Sequence, residues 1–238
     1  MRVALVTGAS RGLGLAFSRA LAAHGWGLVI DGRDPAALRA SADELGVLTD
    51  VRAISGDVAD PSHRQALLAA AGELGHLDLL VNNASLLGPS PQPQLADYPL
   101  DVMEQVYRVN TLAPLALVQL ALPALIANGG RIINVTSDAA VEAYPGWGGY
   151  GSSKAALEQL TRVLAAEHPQ LRVYLVDPGD IRTQMHQDAF PGEDISDRPL
   201  PVVAVPGMMA LALADWPSGR YRAQHIGPDV PAPAGVTS

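Results

Sequence analysis

The chain has 238 residues, enough for one large α/β core, and its 48% hydrophobic and 17% charged residues describe a globular protein. Sixteen Lys and Arg against twenty-four Asp and Glu leave a net charge of −8, which disfavours nucleic acid or an anionic membrane as a general partner. The absence of cysteine excludes disulfides, thiolate metal sites, iron–sulfur clusters and cysteine nucleophiles, and it suits a reducing cytoplasm.

Taken in chain order, short β-branched runs at 3–6, 28–31, 52–54, 77–81, 131–135, 172–176 and 219–223 predict strands. Between them, helical patterns lie at 12–24, 35–45, 61–74, 100–127, 150–167 and 201–214. Strand followed by helix, repeated, predicts an α/β fold: a Rossmann-type doubly wound parallel sheet of about seven strands with helices on both faces. The strands are apolar nearly throughout, as a sheet covered on both sides requires. No linker divides the chain, so 1–226 reads as a single domain and 227–238, rich in Pro and Gly, as a flexible tail. Residues 186–200 are polar and read as a loop, part of a substrate loop over about 184–205. The apolar run 112–127 carries Pro114 and Pro123 and is sixteen residues long. A membrane span needs about 20, so the run reads as a buried helix. No signal-peptide pattern opens the chain, and the expectation is a cytoplasmic protein without a membrane partner.

The first strand runs into Thr7-Gly8-Ala9-Ser10-Arg11-Gly12-Leu13-Gly14, and a helix follows. Glycines allow a tight turn and a close backbone approach to a pyrophosphate. The helix N-terminus offers free N–H groups and a positive dipole end to the same anion. The G-x-x-x-G-x-G spacing differs from the usual dinucleotide fingerprint, and the other reading is a tight connection only. After the second strand stand Asp31, Gly32 and Arg33. An Asp there accepts ribose hydroxyls and repels a 2′-phosphate, whereas an Arg attracts that phosphate. Arg33 together with Arg11 outweighs Asp31, which favours NADP(H), with NAD(H) as the alternative. The competing reading makes both arginines solvated surface charges.

Tyr150 and Lys154 are spaced i,i+4, on one helix face and roughly 5–6 Å apart at Cβ. A free phenol has a pKa near 10, and a neighbouring cation stabilises its phenolate. The pair is therefore suited to protonating a carbonyl oxygen as hydride reaches its carbon. Ser137 ends a strand on the crevice side, where its hydroxyl could hold the same oxygen; a serine simply ending a strand is the other reading.

These motifs resemble the short-chain dehydrogenase/reductase family along nearly the whole chain. The 7–14 turn resembles the family's cofactor turn. Asp57-Val58 resembles the pair that meets adenine, and Asn82-Asn83-Ala84 the motif that steadies the sheet. Asn110, Ser137, Tyr150 and Lys154 match the catalytic four in order and spacing, and Pro178, Gly179, Ile181 and Thr183 the segment contacting the nicotinamide. The resemblance implies hydride transfer between NADP(H) and a carbonyl or secondary alcohol. Tyr150 is then the general acid or base, and Lys154 binds the nicotinamide ribose and lowers the tyrosine pKa. Ser137 orients the carbonyl, and Asn110 holds a water of a proton relay. Gly8, Ser10, Arg11, Gly12, Leu13, Gly14, Arg33, Asn83 and Ala84 complete the cofactor contacts. Ser85 stands where the family often has Gly, and 218–224 lacks the usual Asp-Gly-Gly ending.

The six histidines show no metal-ligand spacing, and no metal is expected; only His186 falls near the pocket. Tyr144 and Trp147 could wall it or simply pack. Acidic Glu193, Asp194 and Asp197 in the loop disfavour a bulky anionic substrate. Helices 100–127 and 150–167 carry surplus apolar surface, and the family's equivalent pair forms an interface, so a homodimer or homotetramer is expected. A non-catalytic dinucleotide-binding sensor on the same fold is the second hypothesis.

Overall fold

The computed structural model describes residues 1–227, so the tail expected over 227–238 lies, past Gly227, outside the described residues. In chain order the main elements are β1 (Arg2–Val6), α1 (Gly12–Ala23), β2 (Gly27–Gly32), α2 (Pro35–Leu45), β3 (Val51–Ser55), α3 (Pro61–Leu74) and β4 (His76–Asn82). There follow α4 (Leu100–Tyr107), α5 (Ala113–Asn128), β5 (Arg131–Val135), α6 (Gly148–Glu167), β6 (Arg172–Asp177), α7 (Gln184–Ala189), α8 (Val205–Leu213) and β7 (Gly219–Arg222). The seven strands form one sheet in the order β3-β2-β1-β4-β5-β6-β7, and every neighbouring pair is parallel.

Side chains of successive strand residues point to opposite faces. Val3 and Leu5 of β1 therefore join one core with Leu67 of α3 and Leu117 of α5, while Ala4 and Val6 join the other with Phe17 of α1 and Met208 of α8. These four residues, Val3 to Val6, are fully buried, which is why the strand after Arg2 is apolar without alternation. Asp34 and Asp60 accept hydrogen bonds from first-turn N–H groups of α2 and α3, and Pro35 and Pro61 open those helices. This Asp-Pro signal is local, and both helices begin and end as the sequence predicts.

From β1 the chain adds β2 and β3 on one side and β4 onward on the other. The loops after β1 and β4 part there, leaving a crevice at the carboxyl ends of the strands.

Three elements depart from expectation. The helix predicted over 100–127 is interrupted by a π turn at Arg108–Leu112, which separates α4 from α5. One extra residue in a turn hardly alters apolar spacing, so the sequence pattern is blind to it. The run Leu100–Asn128 is long and apolar enough to cross a membrane by itself, yet Ala121, Leu125 and Val118 pack in the core beneath β4. Within the expected 186–200 loop the chain instead makes α7, capped by Thr183, whose Oγ1 accepts from His186 N at 3.1 Å. Finally, 201–214 opens as a 3-10 turn, Pro201–Ala204, before α8.

Candidate active site

A cleft of about 1030 Å³ lies at the carboxyl edge of the sheet. Gly8, Ser10, Arg11, Gly12, Leu13, Arg33, Asp57, Val58, Asn83, Ala84, Ser137, Tyr150, Lys154, Pro178, Gly179, Ile181 and Thr183 all line it. Two predicted contacts do not. Gly14 is buried behind the turn, where a Cβ would collide with the Gly8 carbonyl; it allows α1 to pack against the turn. Asn110 is fully buried away from the cleft.

The turn after β1 is built for close approach. Gly8 has φ of +66°, and a Cβ there would stand 2.9 Å from the Ala84 backbone. Asn83 Nδ2 donates to the carbonyls of Thr7 and Gly8 at 2.8 and 3.1 Å, joining the β1 and β4 loops. The N-terminus of α1 has no side-chain cap, so its first-turn N–H groups face the cleft as an anion site. These glycines and amides fit a dinucleotide pyrophosphate.

At the other side of the turn Asp31 behaves differently from expectation. Its side chain is 2% exposed: Oδ1 accepts from Gly8 N at 2.6 Å, and Oδ2 lies 3.1 Å from His63 Nε2. Both oxygens are engaged inside the protein and are not offered to a ribose. Arg11 and Arg33 are exposed, and among the described residues neither makes an ion pair.

At the opposite end α6 presents Tyr150 and Lys154. Lys154 Nζ lies 5.7 Å from the Tyr150 ring centroid and donates to Val135 O at 2.9 Å, which ties it to the end of β5. Ser137 Oγ donates to Asp138 Oδ1 at 2.9 Å and accepts from Ala139 N at 3.2 Å. Asn110, held in the π turn, is saturated. Its Oδ1 accepts from Leu86 N and Ser85 Oγ, and its Nδ2 donates to Leu86 O and Ser153 Oγ. The side-chain amide has no capacity left, so the water that the family resemblance implies would have to meet the Asn110 backbone carbonyl. The amide instead pins the β4 loop to Ser153, the neighbour of Lys154.

Burial decides the proton affinities here. It pushes the Tyr150 phenol up to about 12, with the Ser85 hydroxyl pulling weakly the other way. Burial also pushes Lys154 down to about 8. The expectation that Lys154 lowers the tyrosine pKa is not met in the free protein, where desolvation penalises both charged forms and dominates both shifts. A stability consequence follows. Between about pH 8 and the ordinary lysine value of 10.5, the unfolded chain binds more protons than the folded one, so this group's contribution rises with pH. Below that window the buried ammonium costs on the order of 3 kcal/mol. Lys154→Met is expected to melt several degrees above wild type at pH 7, with the gap closing toward pH 10.5; thermal melts of both proteins across this range check it.

The sequence reading missed a buried polar cluster behind the site. Glu158, one turn after Lys154, accepts from Thr136 Oγ1 and from Arg220 Nε, each at 2.8 Å. Arg220 Nη2 also donates to Ser137 O at 3.1 Å and to Asp177 Oδ2 at 3.2 Å. Asp177 Oδ1 in turn accepts from Gly179 N at 2.9 Å. One guanidinium thus joins the Ser137 strand end, α6 and the Pro178-Gly179 segment. The available signal was Glu158 sharing the Lys154 helix face at i,i+4.

A family profile described as short chain dehydrogenase matches residues 2–194. The rhamnolipids biosynthesis 3-oxoacyl-acyl-carrier-protein reductase of Pseudomonas aeruginosa is 36% identical over 193 residues, covering 77% of this chain and 74% of that protein. The (S)-benzoin-forming benzil reductase of Saccharomyces cerevisiae is 34% identical over 196 residues, covering 79% and 74%. A short chain dehydrogenase from Shigella flexneri, solved in complex with NADP, has a TM-score of 0.87 at 30% identity and covers 94% of this chain and 97% of that one. On the profile match and on these likenesses of sequence and fold, the chain belongs to the short-chain dehydrogenase/reductase family.

Proposed function

We propose that the protein is an NADP(H)-dependent carbonyl reductase, working in the reverse sense as an alcohol dehydrogenase, with Tyr150 as its general acid and base. The observation that carries this is one cleft with an uncapped helix N-terminus and two exposed arginines, unpaired among the described residues, at one end, and Ser137, Tyr150 and Lys154 at the other. A bound nicotinamide supplies hydride for reduction and takes it in oxidation. Gly12, Leu13, Asn83 and Ala84 would hold the dinucleotide along the turn, with Asp57 and Val58 at adenine and Pro178, Gly179, Ile181 and Thr183 near the nicotinamide. Tyr150 keeps its proton at neutral pH and delivers it to the substrate oxygen, which Ser137 holds by turning its hydroxyl from Asp138. Lys154, buried beneath, restores the phenol's proton and holds a ribose hydroxyl.

The substrate end favours uncharged aromatic carbonyl compounds. Trp147 meets Tyr150 edge-on at 5.7 Å and Phe190 at 6.0 Å, and Phe190 meets His186 at 5.0 Å. Tyr144, Trp147 and His186 all border the cleft, and apart from the buried Lys154 the charged neighbours at this end, Asp138, Asp180 and Asp188, are acidic. Benzil, the compound in one relative's name, fits this chemistry better than the acyl-carrier thioester in the other's. Exposed Leu112 at the end of the π turn, Leu120 on α5 and Val163 on α6 support assembly as a dimer or tetramer.

The test combines turnover with binding. Nicotinamide absorbance is followed with NADPH or NADH against aryl ketones, diketones and anionic 3-oxo acids. Arg33→Ala is expected to weaken NADP⁺ binding by about 10- to 100-fold, the worth of a hydrogen bond to a charged group, with little change for NAD⁺. Calorimetry reads both. Faster turnover with NADH and an indifferent Arg33→Ala would overturn the cofactor assignment.

A further inference from the structure

The adenosine end contains a carboxylate that suits NAD(H) and two arginines that suit NADP(H), and the structure offers a reason why these do not conflict. We propose that His63 is a specificity-determining positioning residue, which locks Asp31 away from the ribose and leaves Arg11 and Arg33 to select a 2′-phosphate. The inference rests on the NADP(H) reading above and deepens it.

Asp31 stands at the end of β2 and borders the cleft, the place from which a carboxylate reaches ribose hydroxyls. Its two oxygens are held from two directions. Gly8 N, in the turn, donates to Oδ1 at 2.6 Å, and the His63 ring on α3 meets Oδ2 at 3.1 Å. His63 is itself 7% exposed. Its ring is seated against Gly56, where the Cβ of any larger residue would overlap it. Asp60 caps α3 three residues before it, accepting from Ser62 N at 2.8 Å. The neighbouring cation on that helix, Arg64, is directed elsewhere, to Val58 O at 2.6 Å. His63 is thus the side chain that satisfies Oδ2.

A carboxylate with both oxygens satisfied has no reason to turn outward, because turning would strand Gly8 N–H and the imidazole without partners. Without His63, Oδ2 becomes an unpaired, buried, charged acceptor, and the nearest relief is the cleft that Asp31 already borders. There it accepts from the 2′- and 3′-hydroxyls of NAD(H) and repels the 2′-phosphate of NADP(H). The lock therefore acts on the ratio of the two affinities, which general loosening of the turn would not change.

The experiment is calorimetric titration of the full chain with NADP⁺ and with NAD⁺, for wild type, His63→Ala, His63→Gln and the double variant His63→Ala/Asp31→Asn. Wild type is expected to bind NADP⁺ more tightly. In His63→Ala the NADP⁺-to-NAD⁺ preference is expected to fall by about 10- to 100-fold, the worth of a hydrogen bond to a charged group gained or lost. His63→Gln, which keeps a donor, and the double variant, which removes the released charge, are expected to recover most of the wild-type ratio. Equal weakening toward both dinucleotides in His63→Ala, or a shift that persists in the double variant, overturns the lock while leaving the NADP(H) reading intact. Wild type that prefers NAD⁺ or binds neither overturns the NADP(H) reading, and the lock with it, before any variant is considered.

Discussion

Tyr150→Phe is expected to lower kcat by about 10²- to 10⁴-fold, the usual worth of a positioned acid, while NADP⁺ affinity and melting temperature stay near wild type. Tyr150 is 8% exposed, and its phenol, protonated at neutral pH even at the ordinary value of 10, is held more firmly so because burial pushes it up to about 12. Phenylalanine preserves the ring that packs edge-on against Trp147, so only the transferable proton is removed. Lys154, pushed down to about 8, is the first of the pair to titrate as pH rises. Reduction should accordingly be level below about pH 8 and decline above it, once the ammonium that restores the phenol proton is lost. Steady-state kinetics across pH, with calorimetry on the same samples, make the check. A variant retaining a tenth or more of wild-type kcat would remove Tyr150 from the chemistry.

Arg220→Met is expected to cost about 3–5 kcal/mol of stability, because it removes the cation shared by two buried carboxylates. Glu158 and Asp177 are 1% and 3% exposed, and Arg220 is shared between them. Arg162 still reaches the second Glu158 oxygen from the surface and exposed Arg222 Nε lies 3.9 Å from Asp177 Oδ2, which keeps either carboxylate from being wholly abandoned. For a chain of this size the loss corresponds to a fall in Tm of roughly 6–20 °C. Arg220→Lys should fall between the two proteins, since an ammonium keeps the charge but cannot fork to Glu158, Asp177 and Ser137 O together. Thermal melts of the three proteins decide it; an unchanged Tm in Arg220→Met would show that the cluster carries no net stability.

The fold class was legible because it rests on local signals. Apolar β-branched runs separated by helical periodicity dictate a covered parallel sheet, and the Asp-Pro pairs at 34–35 and 60–61 begin their helices without tertiary help. The glycine turn was legible for the same reason: Gly8 adopts φ of +66° against Ala84, which other residues do not tolerate. The positions of Ser137, Tyr150 and Lys154 also followed, since strand ends and the i,i+4 helix spacing are one-dimensional facts.

What depended on partners distant in the chain was not legible. Asn110 was placed in the site by the family resemblance, but its side-chain amide is consumed by Ser85, Leu86 and Ser153, contacts made at a π turn that leaves no mark on hydrophobic periodicity. Asp31 carried the right residue type for a ribose contact, yet its direction is set by Gly8, 23 positions earlier, and His63, 32 positions later. The Tyr150–Lys154 spacing implied a lowered phenol pKa, but the depth of burial, a property of the assembled layers, reverses the sign. Sequence alone determined the alternation of strands and main helices and which residue types reach the cleft, because propensity and pattern act within a few residues. The tertiary structure decided orientation, pairing and proton affinity, because hydrogen-bond satisfaction and desolvation depend on neighbours that only the folded sheet brings together.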